Sequence, residues 1–396
     1  MVMISTGDWL LRAVVCLGAV FSMADGVWAQ SPTFSITLTG QSAIRSDVRA
    51  HAPATVPTIA SLLKGDVVFT NFEATIFDVK KGQSPPDGRF IDGRFILVSP
   101  PEALDSLKTF GFNLLSLSNN HSWDLKVPGI ENALEQAKRL DLVYAGIGHT
   151  VDGAAAPGYM HTPKGTVALV AMASGFIADG GSATATRPGV NELRVERNAP
   201  NPEDAQRILR SIRDAKQRAE FVMVSQHNHV FDKPFATIMA ERLPERLVPP
   251  EWLKKWTHAE VDAGADIIVM HGAPLLHGVE IYRDRPIFFD LGNFIFQPLS
   301  ATNLDEPICL DDPIVCESVV AYVEFEGKSL KSVRFRPIAL DNKIGQGQAD
   351  TRGLPRPATG DQAHYILERL ADLSRPFGTN IEAIGDSAEI KLKAGN

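Results

Sequence analysis

Short apolar runs that close on polar residues, separated by stretches at helical spacing, limit this chain to a layered α/β fold more than any other feature does. "TFSITLTG" alternates and is rich in β-branched residues, so it reads as an opening strand. "DVVFTNF" (66–72) and "FNLLSLS" (112–118) are further short strands. "VPGIENALEQAKRL" then carries apolar residues at helical spacing, with Pro128 near its start. The alternation continues with strands "LVYAGIG" and "TVALVAMAS" (166–174), the amphipathic helix "PEDAQRILRSIRDAKQRA" and the strand "FVMVSQH". "PEWLKKWTHAEVDAG" reads as a helix ending at Gly264, ahead of strand "DIIVMHG". Two short strands then flank a turn at Asp284, and "ESVVAYVEFEGKSLKSVRFRPIAL" reads as a hairpin turning near Gly327. A helix around 360–374 precedes a polar tail. The pattern means an α/β domain with mixed sheets and no repeat of fixed period. The Pro/Gly-rich segment 80–101 is expected as a surface loop over the site.

Of the 396 residues, 44% are hydrophobic and 22% charged, an ordinary globular composition. The net charge of −8 comes without the basic block that a nucleic-acid partner requires, so no nucleic acid is expected. Arg12, the apolar run "AVVCLGAVFSMA" and small residues Val27 and Ala29 read as a signal peptide over 1–29. The mature protein is then secreted or periplasmic, an uncleaved N-terminal anchor being the alternative. Residues 30–345 form the main domain, and 346–396 a C-terminal helix and tail. Cys309 and Cys316, seven apart in a turn-rich stretch, are expected to form a local disulfide. No GxSxG elbow and no GxxxxGK[ST] loop occurs, which sets aside serine-hydrolase and P-loop chemistry.

The strand ends carry the chemistry. The first presents Gln41, the second Asn71 and Glu73, the third Asn119, Asn120, His121 and Asp124. Later strands end in His227, Asn228 and His229, and in His271. A single polar residue at a strand end is an ordinary turn or solvated charge. Imidazole, carboxylate and amide groups recurring at strand ends suit a divalent-metal site in the crevice beyond the carboxyl edge. His227 and His229 would face opposite sides of a continuing strand, so only one of them is expected to point inwards.

"GDVVFTNFEATI", "GFNLLSLSNNHSWDLKVPGIENALEQAKRLDLVYAGIG", "RPGVNELR", "VMVSQHNH" and "GADIIVMHGAPLLHGVEIYRDRPIFFDLGNFIFQ" together resemble the poly-γ-glutamate capsule synthesis proteins of the CapA/PgsA type. Such proteins look like members of the calcineurin-like metallophosphoesterase superfamily. The resemblance implies a four-layer α/β/β/α sandwich with two mixed sheets and a metal site at one edge. It makes Glu73 a metal-bridging carboxylate, and Asn120, His227 and His271 metal ligands. His121 would be the acid that serves the leaving group, with Asp124 orienting it. Two departures stand out. Gln41 occupies the place of an expected aspartate ligand, and a further expected histidine falls at or near Pro274, although His277 is close in sequence. A centre short of one carboxylate and one imidazole should hold two ions less tightly. The implied activity is a metal-dependent hydrolase, using manganese, zinc or iron, on a phosphoester or a γ-glutamyl (amide) bond. Its substrate would be an anionic polymer, a small molecule or a peptide, and membrane-associated capsule machinery a partner. The competing expectation is a non-enzymatic protein of capsule-polymer assembly or export with a degenerate metal site.

Overall fold

The computed structural model describes residues 33–84, 90–91, 94–297, 312–341 and 351–392; the expected signal peptide and Cys309 lie outside them. Four apolar runs become the parallel strands β1 (Thr33–Leu38), β2 (Val67–Asn71), β3 (Leu114–Ser116) and β4 (Val143–Ala145), side by side in that order. Helices α1 (Val56–Leu62), α2 (Glu102–Phe110) and α3 (Lys126–Arg139) connect them. Their apolar residues Ile59, Leu104, Leu107 and Ile130 share a buried cluster with Val68 and Leu115 of the strands, so the helices cover one face of this sheet.

A second sheet contains β5 (Gly158–Thr162), β6 (Gly165–Ser174), β7 (Phe221–Asn228), β8 (Ile267–His271), β9 (Val279–Tyr282) and β10 (Arg285–Phe288). Their order is β5-β6-β7-β8-β10-β9, with a parallel centre and antiparallel edges. Helix α4 (Pro202–Lys216) starts where Asn201 accepts hydrogen bonds from the Glu203 and Asp204 N–H groups. Helix α5 (Glu251–Ala263) ends against Gly264. Ile208, Ile212, Trp252 and Trp256 of these helices pack on Val222, Val224 and Ile268, covering the outer face of the second sheet.

The two inner faces meet in one core that joins Phe34, Ile36 and Phe69 to Val167, Leu169, Met223 and Val269. Phe221 stacks on Phe34 at 4.8 Å and lies 4.7 Å from Phe325. The layers therefore run helix, sheet, sheet, helix, the α/β/β/α arrangement expected, with both sheets mixed.

The chain returns to the first sheet through the hairpin β11 (Glu317–Glu326) and β12 (Ser329–Leu340), with β11 pairing antiparallel to β1. Helix α6 (Gly360–Ser374) forms as expected. The residues after it are not simply a tail: β13 (Ile381–Ile384) and β14 (Ser387–Ile390) pair with each other, and β14 pairs with β12. Buried Ile381, Ala388 and Ile390 explain why, since they extend the core between the sheets. Cys316 is buried and disulfide-bonded.

Candidate metal centre

The carboxyl ends of β2 and β3 in one sheet and of β7 and β8 in the other bring the polar strand ends to one edge. His227 and His271 stand side by side there in the β7–β8 register. Glu73 follows β2, where its backbone N–H donates to the Ser42 carbonyl. Its carboxylate is 5% exposed. Oε1 lies 3.6 Å from His227 Nε2 and 3.9 Å from His121 Nε2, and Oε2 is buried without a hydrogen-bond partner.

His229 joins this group, against the expectation that only one of the two histidines turns inwards. The physical reason is that β7 stops at Asn228. The Asn228 side chain accepts from the Val230 N–H at 3.2 Å and curls the chain, so the alternation of a strand no longer applies. His229 Nε2 ends 2.9 Å from His227 Nε2. Ligand atoms of Glu73, His227 and His229 all lie within 4.8 Å of one another.

Beside them the "SNNHSWD" turn is pinned by its first asparagine. Asn119 Nδ2 donates to the Phe72 carbonyl at 2.7 Å, and its Oδ1 accepts from the His121 N–H at 3.0 Å. His121 Nδ1 meets Asp124 Oδ2 at 2.7 Å, which leaves Nε2 facing Glu73. Asp124 Oδ2 is itself fixed by the Leu97 N–H at 2.8 Å. Phe95 sets its ring edge-on to His121 at 5.9 Å, so the segment 80–101 does reach this dyad. It is not simply a surface loop, because Ile96, Leu97, Val98 and Ser99 are buried and Val98–Ser99 pairs as a strand with Thr75–Ile76. Asn120 keeps a buried Oδ1 without a partner.

The remaining expected residues have diverse roles. Asn71 Nδ2 contacts His227 Nδ1 at 3.2 Å and orients the ring. His271 Nε2 donates to the Thr39 carbonyl at 3.1 Å, leaving a buried Nδ1 lone pair with no partner. That pattern suits a ligand, yet His271 lies outside the Glu73–His227–His229 group. Gln41 Oε1 is already engaged: it accepts from the Gly272 N–H at 3.1 Å and ties the segment after β1 to the end of β8. His277 turns its Nε2 to the Arg246 carbonyl at 2.8 Å instead of filling the missing imidazole position. Asp290 was not singled out in the sequence, although it lies inside "FFDLGNF". It is 1% exposed and accepts from the Ala273 and Gly292 N–H groups at 2.8 and 2.7 Å, fixing both loops at this edge. Its only sequence signal was a carboxylate inside an apolar run.

Burial sets the charge states. It holds the His227 ring well below its ordinary value, helped by the neighbouring histidines, and takes His229 to about 3 and His271 to about 4. These imidazoles are therefore neutral near pH 7, the state in which they ligate. Burial raises Glu73 to about 7; positive charge on His121 opposes the shift and Asp124 adds to it. Asp290 is pushed well above the carboxylate range by burial, against the backbone N–H groups that hold it.

The residues fit a divalent cation. Two donors about 2.1 Å from one ion stand roughly 3.0–3.4 Å apart, and the 2.9 and 3.6 Å separations here bracket that range. Orphaned Glu73 Oε2 and Asn120 Oδ1 supply the unmet acceptors that such an ion satisfies.

The family profile described as "Bacterial capsule synthesis protein PGA_cap" matches residues 35–298. The chain belongs to this capsule synthesis family. Within the family's matched span lie Glu73, the His121–Asp124 dyad, both histidines of β7 and its end, His271 and Asp290. The chain is 29% identical to the protein y4sH of Sinorhizobium fredii, over 85% of this chain and 88% of that one. It is also 29% identical to the capsule biosynthesis protein CapA of Bacillus anthracis, over 59% of this chain and 51% of CapA. The PGA biosynthesis protein CapA of Bacillus subtilis is 28% identical over 52% of this chain and 48% of its own length.

Proposed function

We propose that this capsule synthesis family member is an exported, metal-dependent hydrolase that cleaves a phosphoester or a γ-glutamyl (amide) bond in capsule or poly-γ-glutamate metabolism. The observation that carries the reading is the Glu73–His227–His229 group, its first two members buried and His229 half-buried, with His121 Nε2 of the His121–Asp124 dyad 3.9 Å from the Glu73 carboxylate. Glu73, His227 and His229 hold the ion in this reading, with His271 Nδ1 and Asn120 Oδ1 as further donors. A bound divalent ion, manganese, zinc or iron, supplies Lewis-acid polarisation and a water of lowered pKa.

The chain's own residues do the rest. Asp124 accepts the Nδ1–H of His121 and fixes the tautomer, so that Nε2 is the nitrogen that exchanges a proton with substrate. Protonated at Nε2, His121 delivers that proton to the departing oxygen or nitrogen. Phe95 and the backbone of Leu97 exclude water from the dyad. Phe176 and Phe235 stand 5.2 and 4.5 Å from the His229 ring and wall the other side.

Export rests on the N-terminal apolar run with its small-residue cleavage signal, and the substrate class on the family's association with capsule and poly-γ-glutamate synthesis. An anionic polymer, or a peptide or small molecule derived from it, is the substrate proposed, with membrane-associated capsule machinery as a partner. Gln41 favours a second reading, a polymer-binding assembly protein without turnover, because it brings no negative charge to the edge.

Purified mature protein supplied with Mn²⁺ should hydrolyse a phosphodiester or a γ-glutamyl anilide, and His121→Ala should slow this by about 10²–10⁴. A folded, metal-loaded protein inert to both substrate classes would transfer the argument to the second reading.

A further inference from the structure

Among the described residues, the donors at this edge are unevenly charged. Glu73 is the one carboxylate in the group that also holds His227 and His229. Asp290 is near enough to Glu73 for their charges to interact, but both its oxygens already accept backbone N–H groups from Ala273 and Gly292. Asp124 holds His121 and the Leu97 N–H through its Oδ2 and is not a member of the Glu73–His227–His229 group. Gln41 is neutral and engaged by Gly272, Pro274 has no donor side chain, and His277 is turned to Arg246. The donors left over, His271 Nδ1, Asn120 Oδ1 and Asn71 Oδ1, are all neutral.

A second divalent ion would therefore enter this edge with no second carboxylate in the ligand group to bind it. One ion leaves a net charge near +1 on the Glu73 group, whereas two leave about +3, which a desolvated site resists strongly. His229 compensates the single ion in another way. Because β7 ends at Asn228, it contributes a second imidazole 2.9 Å from the first and completes a two-histidine, one-carboxylate set.

We propose that this centre takes a single divalent cation on Glu73, His227 and His229, not a pair of ions. The proposal deepens the hydrolase reading and rests on it for the presence of a metal. His229 is then a principal ligand.

The test is stoichiometry and spectroscopy on the full mature chain. Protein stripped with chelator, reloaded with excess Mn²⁺ and desalted should retain about one Mn per chain by elemental analysis. Its electron paramagnetic resonance spectrum should be the six-line signal of an isolated Mn²⁺. His229→Ala should weaken Mn²⁺ binding by about 100-fold or more. His229→Gln, closer in volume, should weaken it comparably, with a near-UV circular dichroism spectrum that matches wild type to confirm the fold. Two ions with an exchange-coupled spectrum overturn the single-ion proposal and leave the hydrolase reading standing. No retained ion overturns both. Unchanged affinity in a folded His229 variant overturns the role of that histidine and with it the proposed set.

Discussion

Glu73 is held up to about 7 chiefly by burial, so in the metal-free protein it carries a proton across the mildly acidic range. The sign follows from linkage: a carboxyl raised in the folded state contributes stability that is complete below its ordinary value of 4.5 and is lost as pH rises through about 7. Metal binding has the opposite slope, because capture of a cation must displace that proton. Apparent Mn²⁺ affinity should rise as pH increases to about 7 and level off above it, and a pH-independent affinity by titration calorimetry would contradict this. For the dyad, His121→Ala should lower kcat by about 10²–10⁴, while Asp124→Asn should cost about 10–100-fold. Metal content should stay unchanged in both, which separates loss of the acid from loss of the ion. At this scale the family resemblance anticipated the pairing of His121 with Asp124, which the short turn between them makes at 2.7 Å. The sequence was illegible where a strand end decides the direction of a side chain, as for His229. Asp290 escaped for a related reason, since only the fold reveals that backbone N–H groups converge on it.

Elements matter here through their ends. Gly272, just after β8, has φ +112, and a Cβ there would stand 2.5 Å from the Asn228 carbonyl oxygen. That close approach lets the ends of β7 and β8 lie together under the imidazoles. Gly272→Ala should destabilise the protein by about 1–3 kcal/mol in urea denaturation and weaken metal binding in parallel. Helix α4 is held at its start by Asp204, which Arg194 and Arg207 each approach at 2.7 Å. Desolvation works against the Asp204 charge, but the arginine hydrogen bonds outweigh it and hold the carboxyl below its ordinary value of 3.8. Its contribution is present above that value and is lost as pH falls below it. Asp204→Asn should therefore cost about 1–3 kcal/mol near neutral pH and progressively less towards pH 3, measured by denaturant midpoints. The element order was readable because β6 and β7 are long runs buried on both faces, while α4 and α5 carry their apolar residues at a 3.6-residue period. The C-terminal hairpin was not, because β13 and β14 expose Glu382, Ala383, Ile384 and Ser387 and resemble a polar tail.

Across the whole molecule, two mixed sheets clamp one core, and the site lies where their strand ends meet. Alternating strands and helices foreshadowed an α/β domain with mixed sheets, and the family resemblance implied the four-layer sandwich; that the hairpin β11–β12 returns to β1 is a contact remote in sequence. The Phe34–Phe221–Phe325 stack bridges the sheets. Phe221→Ala should cost about 3–5 kcal/mol of stability. The account as a whole makes the buried Glu73–histidine group a working metal centre. Turnover by chelator-stripped protein, before and after Mn²⁺ is restored, tests this most directly when Glu73→Gln is run alongside. Activity should vanish on stripping, return with Mn²⁺ in the wild type and fail to return in Glu73→Gln. Full activity in the stripped protein, or equal recovery in the variant, would contradict the account.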